Sequence, residues 1–215
     1  MKLAVFDLDG TITRHDTLLP FVLGFLLRAP WRLPGLLLFL PAAIGFALGG
    51  ADRGRLKSAL IRATLGGSTR SSIDSWTARF VARLLAGGVF ADALHAIARH
   101  KSEGARLVLL SASTDLYVPA IAQALGFEEA ICTGVRWAGD RLDGHLTSPN
   151  RRGAEKARCL ESLRQRYPGI AICAYGNARS DLEHLALAEQ PLLVNASAST
   201  RREAARLGIP RATWR

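Results

Sequence analysis

The sequence has few cysteines, and none of them is spaced for a zinc site. Only Cys132, Cys159 and Cys173 occur in the 215 residues, without a C-x-x-C pair or a Cys/His pattern of the zinc type. Cysteines this far apart do not form a disulfide framework, so we expect a reducing compartment. A secretory signal is not expected either, because Asp7 and Asp9 interrupt the apolar stretch it would need. These features predict a cytoplasmic protein.

Acidic residues are also scarce relative to basic ones. The chain has 28 Lys and Arg against 18 Asp and Glu, a net charge of +10, while 49% of its residues are hydrophobic. Such an apolar content excludes a disordered or collagen-like chain. The basic residues cluster at 151–158 and at 201–211, but aromatic residues do not alternate with them as a nucleic-acid stacking groove requires. We therefore predict no nucleic-acid partner. The positive charge then reflects binding of acidic small molecules, binding to an anionic membrane surface, or a generally basic composition.

Short apolar runs alternate with helical patterns over most of the chain. We predict strands at 3–6, 105–110, 170–174 and 192–194, and helices at 91–102, 115–125, 154–166 and 199–207. This alternation is typical of a Rossmann-like parallel sheet covered on both faces, hence an α/β fold. In such sheets ligands bind at the carboxyl ends of the strands. Residues 130–147 differ, because two Gly-Asp or Asp-Gly pairs predict a small β-hairpin excursion.

Residues 17–90 break the alternation and predict an all-helical insert, with residues 1–16 and 91–215 forming the α/β core. In the first half of the insert, residues 18–51, only Arg28 and Arg32 are charged. A single membrane crossing is excluded, because both ends of the insert must return to the same sheet. Two crossing helices would each reach only about 24 Å, less than the ~30 Å hydrocarbon core. Pro34 and Pro41 are expected to interrupt the run as well.

Two alternatives remain for residues 18–51. They form a helical hairpin packed into the core of the insert, or they lie in a membrane interface with Arg28 and Arg32 at the headgroups. The second alternative makes an anionic membrane surface a partner and places the protein peripherally on the cytoplasmic face of the membrane. A dimer contact through the same stretch is a further use of an exposed apolar surface.

The most specific motif is Asp7-Leu8-Asp9-Gly10-Thr11, which directly follows the first predicted strand. Two carboxylates two residues apart at the edge of a sheet can divide the work of catalysis: one attacks or binds metal, and the other moves a proton. The motif resembles the nucleophile loop of the haloacid dehalogenase-like superfamily. Phosphatases of that superfamily form an aspartyl-phosphate.

The resemblance extends to three later segments. Ser111 ends the second predicted strand, and Lys156 begins a helix, with Arg152 and Arg158 as weaker candidates for the same role. The last segment, residues 175–182, contains Asp181. It also contains Asn177, where most relatives have a metal-binding aspartate. Asparagine still offers a carbonyl oxygen to Mg2+ but brings no charge.

The overall pattern is similar to subfamily IB, which carries a helical cap between the first two motifs and includes phosphoserine phosphatases. The apolar stretch early in the predicted cap resembles that of phosphatidylglycerophosphate phosphatases. Asp16 lies, relative to Asp7, where phosphoserine phosphatases have a carboxylate facing the substrate. A second interpretation of Asp16 is a helix N-cap for the insert.

The resemblance implies a Mg2+-dependent phosphatase acting on a phosphorylated small molecule or a lipid phosphate. A phosphoryl transferase or phosphomutase shares these residues, and a catalytically weak membrane-associated module with the same fold remains a further alternative. A dehalogenase is disfavoured because Asp9 would have no evident role in that reaction. The implied catalytic residues are Asp7 as nucleophile, Asp9 as general acid and base, and Ser111 and Lys156, which bind the phosphate. The implied Mg2+ ligands are Asp7, Asp181, Asn177 and the backbone of Asp9. Substrate binding is implied for Thr11, Asp16, Ser111 and Lys156, and Thr11 is also expected to brace the Asp7 loop.

Overall fold

The computed structural model describes residues 2–50 and 52–215. Over these residues the main sheet has six strands: β1 Leu3–Phe6, β2 Arg106–Thr114, β3 Glu129–Thr133, β6 Ile172–Gly176, β7 Gln190–Val194 and β8 Arg211–Ala212. Their order in the sheet is β3-β2-β1-β6-β7-β8, and every pairing is parallel. This confirms the α/β class and the predicted Rossmann-like parallel sheet.

Helices cover both faces of this sheet, which explains why its strands are continuously apolar. In β1, Ala4 and Phe6 face one cluster of buried side chains, whereas Leu3 and Val5 face a second cluster that includes Leu160. This alternation follows from the two-residue period of a strand. The covering helices are α5 Ala91–Ser102, α6 Val118–Leu125, α7 Ala154–Arg166, α8 Leu182–Ala186 and α9 Ala198–Arg206.

The predicted hairpin excursion begins too early in the sequence. Residues 130–133 belong to β3, which pairs with β2 in the main sheet. The hairpin itself consists of β4, Val135–Ala138, and β5, Arg141–Leu146, which pair in antiparallel fashion. Strand β3 was hidden in the sequence because it lies at the sheet edge and most of its side chains are only half-buried. The two-residue strand β8 was not predicted either.

In the described parts of the predicted insert, up to residue 50 and from residue 52 on, four helices lie between β1 and α5. They are α1 Leu18–Arg28, α2 Gly35–Ala47, α3 Arg53–Leu65 and α4 Arg70–Gly87, with a 3-10 turn at Pro30–Arg32. The side chains of Asp52 and Thr69 accept hydrogen bonds from the backbone N–H groups of Arg55 and Ser72, so each caps the helix that follows it.

The first alternative for the apolar stretch, packing into the core of the insert, holds for only part of residues 18–50. Helix α1 buries one face, including Phe21 and Phe25, whereas no residue of α2 is fully buried. Packing into the insert core therefore holds for α1 but not for the outer side of α2. Pro41 lies inside α2 and does not interrupt it, contrary to expectation. The 13 residues of α2 span only about 20 Å, and across residues 2–50 and 52–215 the helices lack the length and apolar character to cross a membrane.

Candidate active site

The loop after β1 is a tight turn that presents its carboxylates at the carboxyl edge of the sheet. The backbone N–H of Asp7 donates to the carbonyl of Tyr175 on β6 at 3.0 Å, and the N–H groups of Ile12 and Thr13 both donate to the carbonyl of Leu8 at 2.9 Å. The hydroxyl of Thr11 donates to Asp7 Oδ2 at 3.0 Å. Thr11 therefore braces the aspartate from within the loop.

Two glycines allow this loop and the loop after β6 to approach each other. Gly10 has a positive φ of +78°, and a Cβ there would lie 2.0 Å from Asn177 Nδ2. A Cβ on Gly176 would lie 2.7 Å from Cβ of Asp181. Any larger residue at these positions would push Asn177 and Asp181 away from the turn that carries Asp7.

Lys156 joins the two loops through a buried ion cluster. It lies in the first turn of α7, only 2% exposed, and its Nζ donates to Asp7 Oδ1 at 2.5 Å and to Asp181 Oδ1 at 2.8 Å. The second oxygen of Asp181 accepts the backbone N–H groups of Asn177 and Ala178 at 3.1 and 2.9 Å. Every oxygen that points away from Lys156 in this cluster thus has a donor.

The two carboxylates of the cluster differ in proton affinity. Burial raises the pKa of Asp7, and the positive charge of Lys156 opposes this rise only in part. At Asp181 burial also disfavours the charged form, but the attraction of Lys156 and the hydrogen bonds it receives outweigh burial, so its pKa is lowered. The attraction of both carboxylates likewise raises the pKa of Lys156 against its burial. The lysine therefore remains a cation.

Asp9 has a separate set of partners on the other side of the loop. Its Oδ1 accepts the backbone N–H of Thr17 at 2.7 Å and the Thr17 hydroxyl at 2.6 Å, and its Oδ2 accepts the Ser113 hydroxyl at 2.7 Å. Burial raises the pKa of Asp9, whereas these hydrogen bonds lower it. Burial outweighs the hydrogen bonds, so the pKa of Asp9 is raised, and a raised pKa favours the protonated form that a proton donor needs. The three donors also fix the orientation of the carboxyl group.

One cavity of about 630 Å³ brings most of the predicted site residues together. The core contributes polar groups from four separate segments to its lining, and the helical insert contributes mostly apolar ones. Among the residues predicted from the sequence, the lining contains Asp7, Asp9, Asp16, Lys156, Asn177 and Asp181.

Two of the predicted residues do not line this cavity. Thr11 lies behind Asp7, and Ser111 is fully buried, with its Oγ accepting the backbone N–H of Ser113 at 3.0 Å. Ala112 and Ser113 line the cavity at that point instead. Since β2 runs on to Thr114, Ser111 lies within the strand and not at its end, which accounts for the difference.

Asp16 is not the N-cap residue of α1, which is Thr17, but it lies directly before that residue. It is exposed, and its Oδ1 accepts the backbone N–H of Leu18 at 2.9 Å at the start of α1. It also lines the cavity. The weaker candidates for the role of Lys156 have other positions: Arg152 lines the same cavity, whereas Arg158 is an exposed partner of Glu155.

Sequence reasoning missed three residues that shape the site. Thr17 and Ser113 hold Asp9, and Lys57 of α3 extends from the insert to the core, where it donates to the carbonyl of Ala112 and to Asn150 Oδ1. Burial lowers the pKa of Lys57 to about 8. Thr17 could have been found as a helix-start residue, but nothing in the sequence indicates the partners of Ser113 or Lys57.

The donors at this edge of the sheet fit a hard divalent cation. Asp7 and Asp181 converge on one positive charge, Lys156, and the Asn177 side chain lies against the Asp7 loop. Within residues 2–50 and 52–215, His, Cys, Asp and Glu side chains alone do not form a group of three placed around a metal ion. An ion would therefore need the amide oxygen of Asn177, a backbone carbonyl or water as well. Mg2+ accepts all three kinds of ligand.

The structure is thus an α/β fold in which a parallel sheet carries a buried Asp-Lys-Asp cluster and a third carboxyl group, that of Asp9, at its carboxyl edge. The model of the haloacid dehalogenase-like hydrolases matches residues 4–186. The chain belongs to this family, so it is a hydrolase.

The chain is also similar to curated relatives in sequence and to solved structures in fold. The chain is 32% identical over 190 residues to Protein CicA of Caulobacter vibrioides, covering 87% of this chain and 83% of the relative. It is 30% identical over 215 residues to Probable phosphatase Rv3661 of Mycobacterium tuberculosis, covering 96% and 73%. A structure described as a phospho-aspartyl intermediate analogue of phosphoserine phosphatase has the same fold, with a TM-score of 0.66, 16% identity and coverage of 94% and 90%.

Proposed function

We propose that this protein is a Mg2+-dependent phosphatase that hydrolyses a phosphate monoester through an aspartyl-phosphate intermediate. The proposal is supported above all by the ion cluster of Asp7, Lys156 and Asp181. Asp9 lines the same cavity as this cluster. This arrangement supplies a nucleophile, a fixed cation and a separate proton donor within one site. The likeness to a phosphatase relative and to the phosphoserine phosphatase fold supports the same reaction.

In the first half of the reaction, Asp7 attacks phosphorus and the bond from phosphorus to the ester oxygen breaks. Asp9 donates its proton to the departing oxygen, so the alcohol leaves neutral. In the second half, Asp9 takes a proton from a water molecule, which attacks the aspartyl-phosphate, releases inorganic phosphate and restores the carboxylate of Asp7. The raised pKa of Asp9 supports its role as the acid of the first step.

Lys156 would offset negative charge on Asp7 and on the phosphoryl group, since its ammonium already lies 2.5 Å from Asp7. Mg2+ would be held by Asp7, Asp181, Asn177 and the backbone carbonyl of Asp9. When bound there, the ion would screen the nucleophile from the negative charge of the phosphate. Ser111 would act through the backbone of Ser113, because it does not line the cavity. The core at residues 1–16 and 91–215 would carry this chemistry, and residues 17–90 would form the cap of a subfamily IB enzyme.

The wall of the cavity favours a lipid phosphate over a small polar ester. The helices of the insert contribute Leu18, Leu19, Phe39 and Phe46, all apolar, to the space beside the carboxylates. An apolar alcohol would replace water on this wall, whereas a polar one would not. The second candidate is a small substrate with an amino group, such as a phosphoserine-like ester. Asp16 favours this candidate because its carboxylate is exposed in the same cavity.

Release of inorganic phosphate tests the proposed reaction. We expect the purified protein to hydrolyse p-nitrophenyl phosphate with added Mg2+ and to lose this activity after treatment with EDTA. A panel containing phosphatidylglycerophosphate and phosphoserine then ranks the two substrate candidates. Transfer of the phosphoryl group back to the substrate without release of phosphate would indicate a phosphomutase, and no turnover of any ester would contradict the proposal.

A further inference from the structure

The outer sides of α1 and α2 form an exposed apolar surface next to the candidate active site. Thirteen large hydrophobic side chains are exposed among the described residues, and ten of them lie between residues 19 and 48. We call these ten the apolar cap surface. They are Leu19, Leu23, Leu27, Trp31, Leu33, Leu37, Leu38, Leu40, Ile44 and Leu48.

The spacing of these residues shows that each helix has one outward stripe. On α1 the exposed leucines recur every four residues, at Leu19, Leu23 and Leu27, and on the other face Phe21 and Phe25 are buried. Helix α2 packs against α3, and Leu36 and Phe39 are half-buried against the core, while Leu38 and Ile44 remain 77% and 58% exposed. An exposed apolar patch this concentrated is typical of a surface that binds a partner.

The net charge of the insert favours an anionic partner. Residues 17–90 contain nine Lys and Arg against two Asp, a net charge of +7 out of +10 for the whole chain. No acidic residue occurs from Thr17 to residue 51. Arg28, at the end of α1, is exposed and stacks over Trp76, and Trp31 in the adjoining turn is 74% exposed. Apolar side chains with arginine and tryptophan at their margin suit the interface of an anionic bilayer.

The active-site cavity and the apolar cap surface share a wall. Leu19 belongs to both, and on α2 the side chains of Phe39 and Phe46 line the cavity while their neighbours Leu38, Leu40 and Ile44 are exposed. A bilayer against the outer side of α2 would therefore lie one helix away from the carboxylates of the core.

We propose that the apolar cap surface docks on an anionic lipid bilayer, with α1 and α2 lying in the interface, so that the enzyme acts on phosphate monoesters at the lipid surface. This proposal rests on the proposed phosphatase function for its substrate but not for the docking itself. Neither helix is long enough to cross the bilayer, so the attachment is peripheral.

Flotation with lipid vesicles tests the docking. We expect the full chain to float with vesicles of phosphatidylglycerol and phosphatidylcholine in equal amounts, and to float less with phosphatidylcholine alone or at high salt. The double variant Leu38→Glu/Ile44→Glu should reduce the bound fraction at least about tenfold, because it places charge in the apolar interface.

A matched control separates docking from a general effect of added charge. Leu94 and Leu207 are 41% and 52% exposed and lie outside the insert, so Leu94→Glu/Leu207→Glu makes the same chemical change elsewhere. This variant should float like the unaltered protein. Both double variants should keep the Mg2+-dependent turnover of p-nitrophenyl phosphate, which needs no bilayer and shows that each protein is folded.

The outcomes distinguish failure of docking from failure of the phosphatase proposal. A protein that hydrolyses the soluble ester but does not float, or whose Leu38→Glu/Ile44→Glu variant floats unchanged, overturns the docking. A dimer that dissociates on this double substitution without vesicle binding also overturns it, and assigns the surface to a second copy of the chain. Flotation without turnover of any ester leaves docking intact and contradicts the phosphatase.

Discussion

The loop that carries Asp7 and the helix α2 both stand out in the sequence, yet they have opposite environments in the structure. The loop is polar and buried, and the side chains of Asp7 and Asp9 have all their oxygens paired with donors. Helix α2 is apolar, and none of its residues is fully buried. Polarity therefore does not predict burial at either place.

This difference matches the work that the two proposals assign to the two regions. A buried charge is costly unless it is paired. A loop that keeps two carboxylates out of water therefore needs a well-placed hydrogen-bond donor or cation for each carboxylate oxygen. An exposed apolar helix costs no such pairing, but it leaves surface that another apolar phase would cover. The reaction would depend on the first region, and the location of the enzyme on the second.

The largest expected effect comes from breaking the loop. Asp7→Asn removes the proposed nucleophile while preserving shape and leaving Lys156 paired with Asp181. We expect turnover of p-nitrophenyl phosphate to fall by about 1,000-fold or more. The control Asp74→Asn makes the same change on an exposed face of α4 and should retain full activity. Comparable rates for the two variants would exclude Asp7 as the nucleophile.

Removing the cation of the ion cluster should affect both activity and stability. Lys156→Met leaves the carboxylates of Asp7 and Asp181 buried without their shared partner. We expect the free energy of unfolding to fall by about 3–5 kcal/mol, measured by urea denaturation. The control is Lys101→Met at an exposed position, and it should change the free energy of unfolding by less than about 0.5 kcal/mol. A loss below about 1 kcal/mol for Lys156→Met would mean that the cluster contributes little to folding.

A matched pair of leucines within the insert sharpens the contrast in burial. Leu65 at the end of α3 is fully buried, whereas Leu38 on α2 is 77% exposed. Leu65→Ala should lower the free energy of unfolding by about 2–5 kcal/mol, because it leaves a cavity. Leu38→Ala should change it by no more than about 0.5 kcal/mol. Equal losses in urea denaturation would show that α2 is packed in solution.

The smallest effect is expected for Asn177→Asp, because this substitution changes the charge of the side chain but hardly changes its shape. Asn177→Asp adds a carboxylate to the proposed Mg2+ ligands, so the Mg2+ concentration for half-maximal activity should fall by about three- to tenfold. Gln123→Glu adds the same charge on an exposed position of α6 and should leave this concentration unchanged. If Asn177→Asp has no effect either, Asn177 does not contact the ion.

The sequence was most informative where a local pattern determines the structure. The apolar run before Asp7 predicted β1, the motif that begins at Asp7 was predicted to follow this strand, and the alternation of strands and helices predicted the parallel sheet. Parallel strands bring their carboxyl ends to one edge, so grouping Asp7 with Asp181 required no knowledge of side-chain contacts.

The remaining features depend on contacts between distant residues. Ser113 reaches Asp9 across 104 positions, and Lys57 reaches Asn150 across 93, which no local pattern specifies. The exposed face of α2 could not be predicted from the sequence either, because a helix that is apolar on all sides shows no periodic pattern that indicates its buried side. Only the packing of α2 against α3 decides that side.

In the proposed reaction Asp7 carries the phosphoryl group during turnover, and mass spectrometry of protein quenched in acid detects this group. With substrate in excess, we expect a phosphoryl group on the peptide that contains residues 3–13, located at Asp7 and absent from Asp7→Asn. Steady release of phosphate with no adduct on this peptide, or with the adduct on another residue, would contradict the proposed mechanism.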